Sequence, residues 1–132
     1  DADAETLTGL GKQLAMHIAA TAPASLSIDE LAVELVERER EVLIEQAKAS
    51  GKPQEIAEKM VEGRMKKYYQ EVVLLEQISV IDGETRIADV IARAGEDAGS
   101  AVALTEFVRF NLGEGIEREE SDFAAEVAAQ LS

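Results

Sequence analysis

His17 is the only histidine among the 132 residues, and histidine is the side chain that most often serves as a general base or metal ligand near neutral pH. Catalysis would require a partner nucleophile or carboxylate, and a zinc site would require further His or Cys ligands. The sequence contains no second His and no Cys. Because His17 falls within the Ala-rich run "AMHIAA", we expect it to pack or hydrogen-bond internally, with a contact to a partner protein as the alternative.

Two acidic runs have the residue types of a divalent-cation site, "ERERE" at 37–41 and "EREES" at 117–121. Neither has the regular carboxylate spacing and central glycine that wrap a calcium ion. In the first run the glutamates alternate with arginines, whose charge opposes metal binding. Both runs are therefore interpreted as solvated surface.

Two glycine-containing stretches invite comparison with phosphate-binding loops, "GEGIE" at 113–117 and "SGKP" at 50–53. The first has no lysine and places Glu114 where a phosphate would lie. The second lacks the remaining glycines and continues into Pro53, which suits a turn between helices. With no Ser/His/Asp arrangement either, the sequence predicts no catalytic site, no cofactor and no metal, and hence a protein that is not an enzyme.

Composition narrows the classes of partner. Thirteen basic against 27 acidic residues give a net charge of −14, which repels a phosphate backbone and argues against nucleic-acid binding. No apolar run approaches the roughly 20 residues of a membrane span. The absence of Cys fits a reducing compartment. The first residue is Asp1 rather than Met, which favours a fragment or a processed form.

The first half of the sequence predicts three helices. Apolar residues recur at helical spacing over 4–21, and Pro23 ends this helix. Ser27 and Glu30 have the spacing of a capping box, which predicts a second helix over 29–50. A third is expected over 53–75.

The second and third helices are separated by a short turn. Gly51 suits a left-handed helix end and Pro53 suits the first position of the next helix. Such a connection predicts an antiparallel hairpin, and its narrow apolar stripes predict that it projects from the body. Gly63 lies within the third helix, which a glycine destabilises relative to alanine. Close approach of another backbone would offset this cost, and helix curvature is the alternative explanation.

The second half of the sequence has a different residue pattern from the helical first half. A short β-like run leads to an Asp-Gly turn in "QISVIDGETR", and Thr85 is expected to cap a helix ending near Gly95. The alternation in "VALTEFVRFNL" at 102–112 predicts a strand with Val108 and Phe110 on its buried face. The predicted fold class is α+β, a small antiparallel sheet with packed helices and a protruding antiparallel helical hairpin.

Three blocks of sequence resemble one known family. "LAMHIAA" at 14–20, "GKPQEIAEKMVEGRMKKYYQEVVLLEQ" at 51–77 and "FVRFNLGEGIEREESDFAAEVAA" at 107–129 look like the C-terminal half of bacterial-type elongation factor Ts. They occur in the family's order and extend over nearly the whole chain. The resemblance implies binding to elongation factor Tu and release of its GDP, that is, guanine nucleotide exchange.

The resemblance also implies a division of the chain. Residues 1–28 and 76–120 would form the C-terminal half of the core, and residues 29–75 an inserted dimerisation or coiled-coil module. Residues 121–132 would form the C-terminal helix module. The core would dock on the C-terminal β-barrel of elongation factor Tu, and the last helix would reach its nucleotide-binding domain.

The sequence departs from the family pattern in two respects. It lacks the small N-terminal helical domain and the "TDFV"-like motif that the family uses to disturb the magnesium site, since "SDFA" at 121–124 belongs to the C-terminal module. It also reads Gln77-Ile78-Ser79-Val80 where the family usually has Gln-Pro-Phe-Val, so the resemblance does not extend to the family's Phe contact at this place. Because the N-terminal elements are missing, we expect anchoring contacts from this chain, and little or no exchange activity.

The resemblance implies two groups of partner-binding residues. Val80 and Ile81 would form an apolar tip, and Asp122, Phe123 and Glu126 would contribute from the last helix. Alternatively Val80 and Ile81 are core residues, and Phe123 attaches the last helix to the body. The rival function is a structural homodimerisation domain in which the hairpin pairs with a second copy. The expected location is the cytoplasm, or an organellar matrix.

Overall fold

The computed structural model describes residues 2–115. They form four α-helices, α1 (Ala4–Thr21), α2 (Val33–Ala49), α3 (Gln54–Val72) and α4 (Ile87–Ala98), with short 3-10 turns at Ile28–Glu30 and Leu74–Glu76. None of these helices is long and apolar enough to cross a bilayer.

Helix α1 has the predicted bounds, because both of its ends depend on local interactions. The Asp3 carboxylate accepts a hydrogen bond of 2.9 Å from the Thr6 amide, which satisfies one of the free N–H groups of the first turn. Ala22 ends the helix in the left-handed conformation, with φ of 47°. Leu14 and Ile18 are buried on the face that meets the core.

The antiparallel helical hairpin is formed by α2 and α3. Gly51 adopts the predicted left-handed conformation, with φ of 65°, and Pro53 immediately precedes α3. Leu43 and Ala47 of α2 and Met65 of α3 are buried. The guanidinium of Arg64 on α3 also donates a 2.6 Å hydrogen bond to Gln46 on α2, so the pair is joined by apolar and polar contacts.

The predicted start of α2 is wrong by four residues. The capping box between Ser27 and Glu30 does not form, and Ser27 instead precedes a 3-10 turn without any side-chain cap. Leu26 and Leu31 on either side of this turn are both buried. Burying these two side chains determines the path of the chain here, and the helix begins only after it at Val33.

The base of the hairpin is attached to the body through the backbone. The segment after α1 runs parallel to the segment after α3, with an isolated bridge between Ser25 and Val73. The Leu74 amide donates to the Ser25 carbonyl at 2.9 Å, and the Leu75 amide to the Leu26 carbonyl at 3.1 Å. The hairpin therefore leaves and re-enters the body at one hydrogen-bonded junction.

Helix α4 extends beyond its predicted end at Gly95 and stops at Ala98, where Gly99 takes the left-handed conformation. Thr85 does not cap it. Gly95 is explained by the chain that returns after the helix. A Cβ on this residue would lie 3.1 Å from the Ser100 carbonyl oxygen and 3.4 Å from the Val102 amide nitrogen.

The predicted small antiparallel sheet, and with it the α+β class, is wrong for residues 2–115, which are mainly helical. Isolated bridges join Ser25 to Val73 and Ile78 to Arg86, and the described residues contain no β-strand. Residues 101–111 have no regular secondary structure. A strand requires a neighbour for its N–H and C=O groups, and no described segment supplies one to this run.

The side chains of this run also depart from strict alternation. Val102, Leu104 and Phe107 are partly buried against the core, whereas Val108 and Phe110 are exposed. The alternation of side chains that face the core therefore shifts by one residue between Leu104 and Phe107. Leu104 and Phe107 instead lie beside Leu14 and Ile18 of α1.

The core lies where α1, α4 and the hairpin junction meet. Its buried side chains come from α1, the segment after it, the second 3-10 turn and α4: Leu14, Ile18, Leu26, Leu74, Ile87 and Ile91. This cluster supports the loop between the second 3-10 turn and α4, which carries two of the predicted partner-binding residues.

Candidate partner-binding surface

The loop at residues 78–86 is closed by backbone hydrogen bonds at its base. Ile78 and Arg86 form an antiparallel bridge, in which the Ser79 amide donates to the Thr85 carbonyl at 2.8 Å. At the turn, the Gly83 amide donates to the Ser79 carbonyl at 2.8 Å, and Gly83 has a φ of 70°. The predicted Asp-Gly turn is thus present, although the β-like run before it forms only a single bridge.

Asp82 organises the far side of the loop. Its Oδ1 accepts hydrogen bonds from the amides of Glu84 at 3.0 Å and Thr85 at 2.9 Å. The Thr85 side chain, followed by these two amides, lowers the pKa of Asp82 from 3.8 to about 2, because each stabilises the ionised carboxylate.

Val80 and Ile81 form the apolar tip of this loop. Val80 is 52% exposed and Ile81 is 55% exposed, so neither is a core residue. Two adjacent exposed aliphatic side chains on a hydrogen-bonded loop form a small, firmly supported apolar contact point.

Beneath the tip lies a buried polar network. Gln77 is 4% exposed, and its Oε1 lies 2.8 Å from His17 Nε2 and 3.0 Å from Thr21 Oγ1. The Val80 amide donates to His17 Nδ1 at 3.2 Å. His17 is thus a hydrogen-bonded core residue, as expected from its Ala-rich surroundings.

Sequence reasoning missed the role of Gln77, which connects three elements. Besides its contacts to α1, its side-chain amide donates to the Glu71 carbonyl at 2.8 Å, and its own carbonyl accepts from the Ile87 amide at 2.9 Å. Its partner His17 is 60 positions away in the sequence, and no local pattern indicates such a pairing.

The structure describes two of the five predicted partner-binding residues. Val80 and Ile81 lie side by side at the exposed tip. Asp122, Phe123 and Glu126 fall outside residues 2–115, so their contribution stays a prediction. Within the described part of the chain, no three His, Asp or Glu side chains are grouped in a way that would hold a metal ion.

The hairpin provides a second exposed apolar surface. Its outward-facing aliphatic side chains lie on both helices: Val33, Leu35, Val42 and Ile56. Around them are charged residues, some in local ion pairs such as Lys59 with Glu55 at 2.9 Å. A Cβ at Gly63 would meet nothing within 4 Å, so the described residues do not explain this glycine by close packing.

Comparison with known proteins identifies the family of this chain. A sequence model of the family described as Elongation factor TS matches residues 1–114, which is most of the chain. The chain belongs to the elongation factor Ts family. The resemblance based on the three sequence blocks is thereby confirmed.

Curated elongation factor Ts proteins align over almost the full chain. The protein of Rhodospirillum rubrum is 64% identical over 130 residues, covering 98% of this chain and 42% of the relative. That of Erythrobacter litoralis is 58% identical over 131 residues, with 99% and 42% covered. That of Zymomonas mobilis is 53% identical over 129 residues, with 98% and 42% covered. The chain thus spans about two fifths of the length of these elongation factor Ts relatives.

Proposed function

We propose that this chain binds elongation factor Tu and contributes anchoring contacts to guanine nucleotide exchange in translation elongation. The observation that carries the proposal is the exposed Val80–Ile81 tip on a loop held by backbone hydrogen bonds, in a chain of the elongation factor Ts family. An exposed apolar pair on a rigid support binds with little loss of conformational entropy.

The proposed mechanism is differential binding, with no covalent step. An exchange factor that prefers the partner conformation holding nucleotide poorly shifts the population toward that conformation. The tip, together with Asp122, Phe123 and Glu126, would supply affinity for the partner. The proposed location is the cytoplasm or an organellar matrix.

The experiment compares Ile81→Ser with Ile56→Ser. Both residues are about half exposed, one at the tip and one on α3, so neither change empties the core. We expect Ile81→Ser to weaken binding to elongation factor Tu about tenfold or more in calorimetric titration, because a buried aliphatic contact is worth about 1.5–3 kcal/mol. Ile56→Ser should bind like the wild type. Equal affinities for all three proteins would contradict the tip assignment.

Nucleotide release provides a second measurement. Release of a fluorescent GDP analogue from elongation factor Tu should be accelerated weakly or not at all by the chain alone, because it lacks a "TDFV"-like motif. Full exchange activity would show that the residues responsible lie within these 132 positions.

A structural homodimerisation domain is the second candidate, favoured by the exposed aliphatic residues of the hairpin. Sedimentation at several concentrations, with and without elongation factor Tu, separates the two functions. A dimer that is weakened by Ile56→Ser and ignores elongation factor Tu would support the homodimerisation domain and overturn the proposed partner.

A further inference from the structure

The buried network beneath the tip has a defined hydrogen-bond direction. The Gln77 side-chain nitrogen donates to the Glu71 carbonyl at 2.8 Å, which determines which end of the amide faces α3. Its Oε1 must then face α1, where it lies 2.8 Å from His17 Nε2. Since an amide oxygen carries no hydrogen, His17 Nε2 must be the donor in this pair.

This direction determines the form of the imidazole. A neutral histidine carries one proton, so a proton on Nε2 leaves Nδ1 as an acceptor. The Val80 amide donates to this atom at 3.2 Å. His17 is only 1% exposed, so both ring nitrogens depend on these protein partners and not on water.

The bond to Nδ1 lies directly behind the exposed tip. The backbone amide of Val80 points inward to His17, while the side chains of Val80 and Ile81 are about half exposed. The next amide, that of Ile81, is held by Ser79 Oγ at 3.3 Å. Loss of the Nδ1 acceptor would leave the Val80 amide without its partner and free the start of the tip.

We propose that His17 is the positioning residue of the partner-binding tip, acting through its Nδ1 atom on the Val80 amide. Gln77 maintains the required tautomer. Its side-chain nitrogen is held by the Glu71 carbonyl at the end of α3, so its oxygen faces His17 and accepts the Nε2 proton. The hairpin junction and α1 together therefore set the position of Val80 and Ile81. The inference rests on the proposed function, to which it adds a residue that does not itself touch the partner.

Two amide substitutions separate the two ring nitrogens. In His17→Asn the side-chain oxygen lies near the position of Nδ1 and accepts from Val80, whereas in His17→Gln the side-chain nitrogen reaches the position of Nε2 and donates to Gln77. We expect His17→Asn to bind elongation factor Tu within about threefold of the wild type, and His17→Gln to bind about tenfold more weakly. Thermal unfolding of both variants verifies that they fold.

A purely structural role would give a different result. Equal affinities for the two variants, or weaker binding by His17→Asn than by His17→Gln, would overturn the positioning role. The tautomer is measured independently on the wild-type chain by long-range 1H–15N NMR, together with hydrogen exchange of the Val80 amide. A proton on Nδ1, or an unprotected Val80 amide, would also overturn it.

The two proposals fail in distinguishable ways. Absence of binding by the wild-type chain would overturn the proposed function, and NMR would still decide whether His17 holds the tip. Binding by the wild type with no difference between His17→Gln and His17→Asn would overturn only the inference.

Discussion

Buried polar side chains lie at the junctions between segments that are distant in the sequence. Gln77 joins α1, the end of α3 and the start of α4, whereas Ser25 bonds across the hairpin junction through its backbone carbonyl and within its own segment through its hydroxyl. Among residues 2–115 no buried side-chain nitrogen or oxygen lacks a partner. Because an unpaired buried polar group costs about 1–3 kcal/mol, such residues specify one arrangement of the joined segments.

The lowered pKa of Asp82 predicts how low pH affects the free energy of unfolding. Its pKa is about 2 in the folded chain and 3.8 as the reference value, so the unfolded chain takes up the proton first. Its contribution to stability is therefore complete above pH 3.8 and is lost as the pH falls toward 2. We expect Asp82→Asn, which keeps the acceptor oxygen but not the charge, to lose this part of the pH dependence.

The measurement is urea unfolding across that pH window. Asp97→Asn, a change at an exposed aspartate of α4, is the matched control and should retain the wild-type slope. Identical slopes for the wild type and Asp82→Asn would show that the loop carboxylate does not stabilise the fold.

Two glycines within helices show how elements depend on their surroundings. Gly95 in α4 is approached by the returning backbone, whereas Gly63 in α3 faces open space in the described part of the chain. Sequence reasoning placed a helix end at Gly95 and the approach of another backbone at Gly63, with helix curvature as the alternative there. Among residues 2–115, a close backbone contact occurs at Gly95, and what approaches Gly63 stays a prediction.

The same glycines yield opposite predictions for substitution by alanine. Gly63→Ala should raise the free energy of unfolding by about 0.5–1 kcal/mol, because alanine favours the helix and meets no atom. Gly95→Ala should lower it despite the same helical gain, because its Cβ would lie 3.1 Å from a backbone oxygen that cannot move freely.

Denaturant unfolding of the two variants provides the comparison. Stabilisation by both would mean that the segment after α4 shifts without cost. If Gly63→Ala stabilises the free chain but weakens its association with a partner or a second copy, Gly63 lies at an interface.

At the scale of the whole molecule, one small aliphatic core carries the fold. Its members come from α1, the segment after it, the second 3-10 turn and α4, and Leu74, at the junction, is 0% exposed. The surface carries a net charge of −14, whose self-repulsion opposes compaction. Stability therefore depends on complete burial of a few side chains.

Leu74→Ala should lower the free energy of unfolding by about 2–5 kcal/mol, the cost of lost burial plus the cavity that remains. Leu35→Ala, at an exposed position of α2, is the matched control and should change it by about 0.5 kcal/mol or less. The free energy of unfolding is measured by thermal or urea unfolding. Similar losses for Leu74→Ala and Leu35→Ala would mean that the hairpin surface is also buried, as in a dimer.

The family and the locally determined elements could be predicted from the sequence. Helix α1 follows from its apolar periodicity and its end signals, and Gly51 and Gly83 mark turns because glycine adopts positive φ without a steric penalty. Val80 and Ile81, inferred as contact residues from the family resemblance, are about half exposed, and their contact role stays a prediction. The helix ends and the turns depend on a few neighbouring residues, whereas the family was identified from three blocks spread over the chain.

Only the tertiary structure decided the remaining features. The alternation of residues 102–112 suits a strand, yet strand formation depends on a neighbour that the pattern cannot specify. The Ser27 cap was overridden by burial of Leu26 and Leu31, and the bond between His17 and Gln77 joins positions 60 residues apart. Local backbone preferences are encoded by adjacent residues, whereas side-chain pairing across the chain is set by how the elements pack.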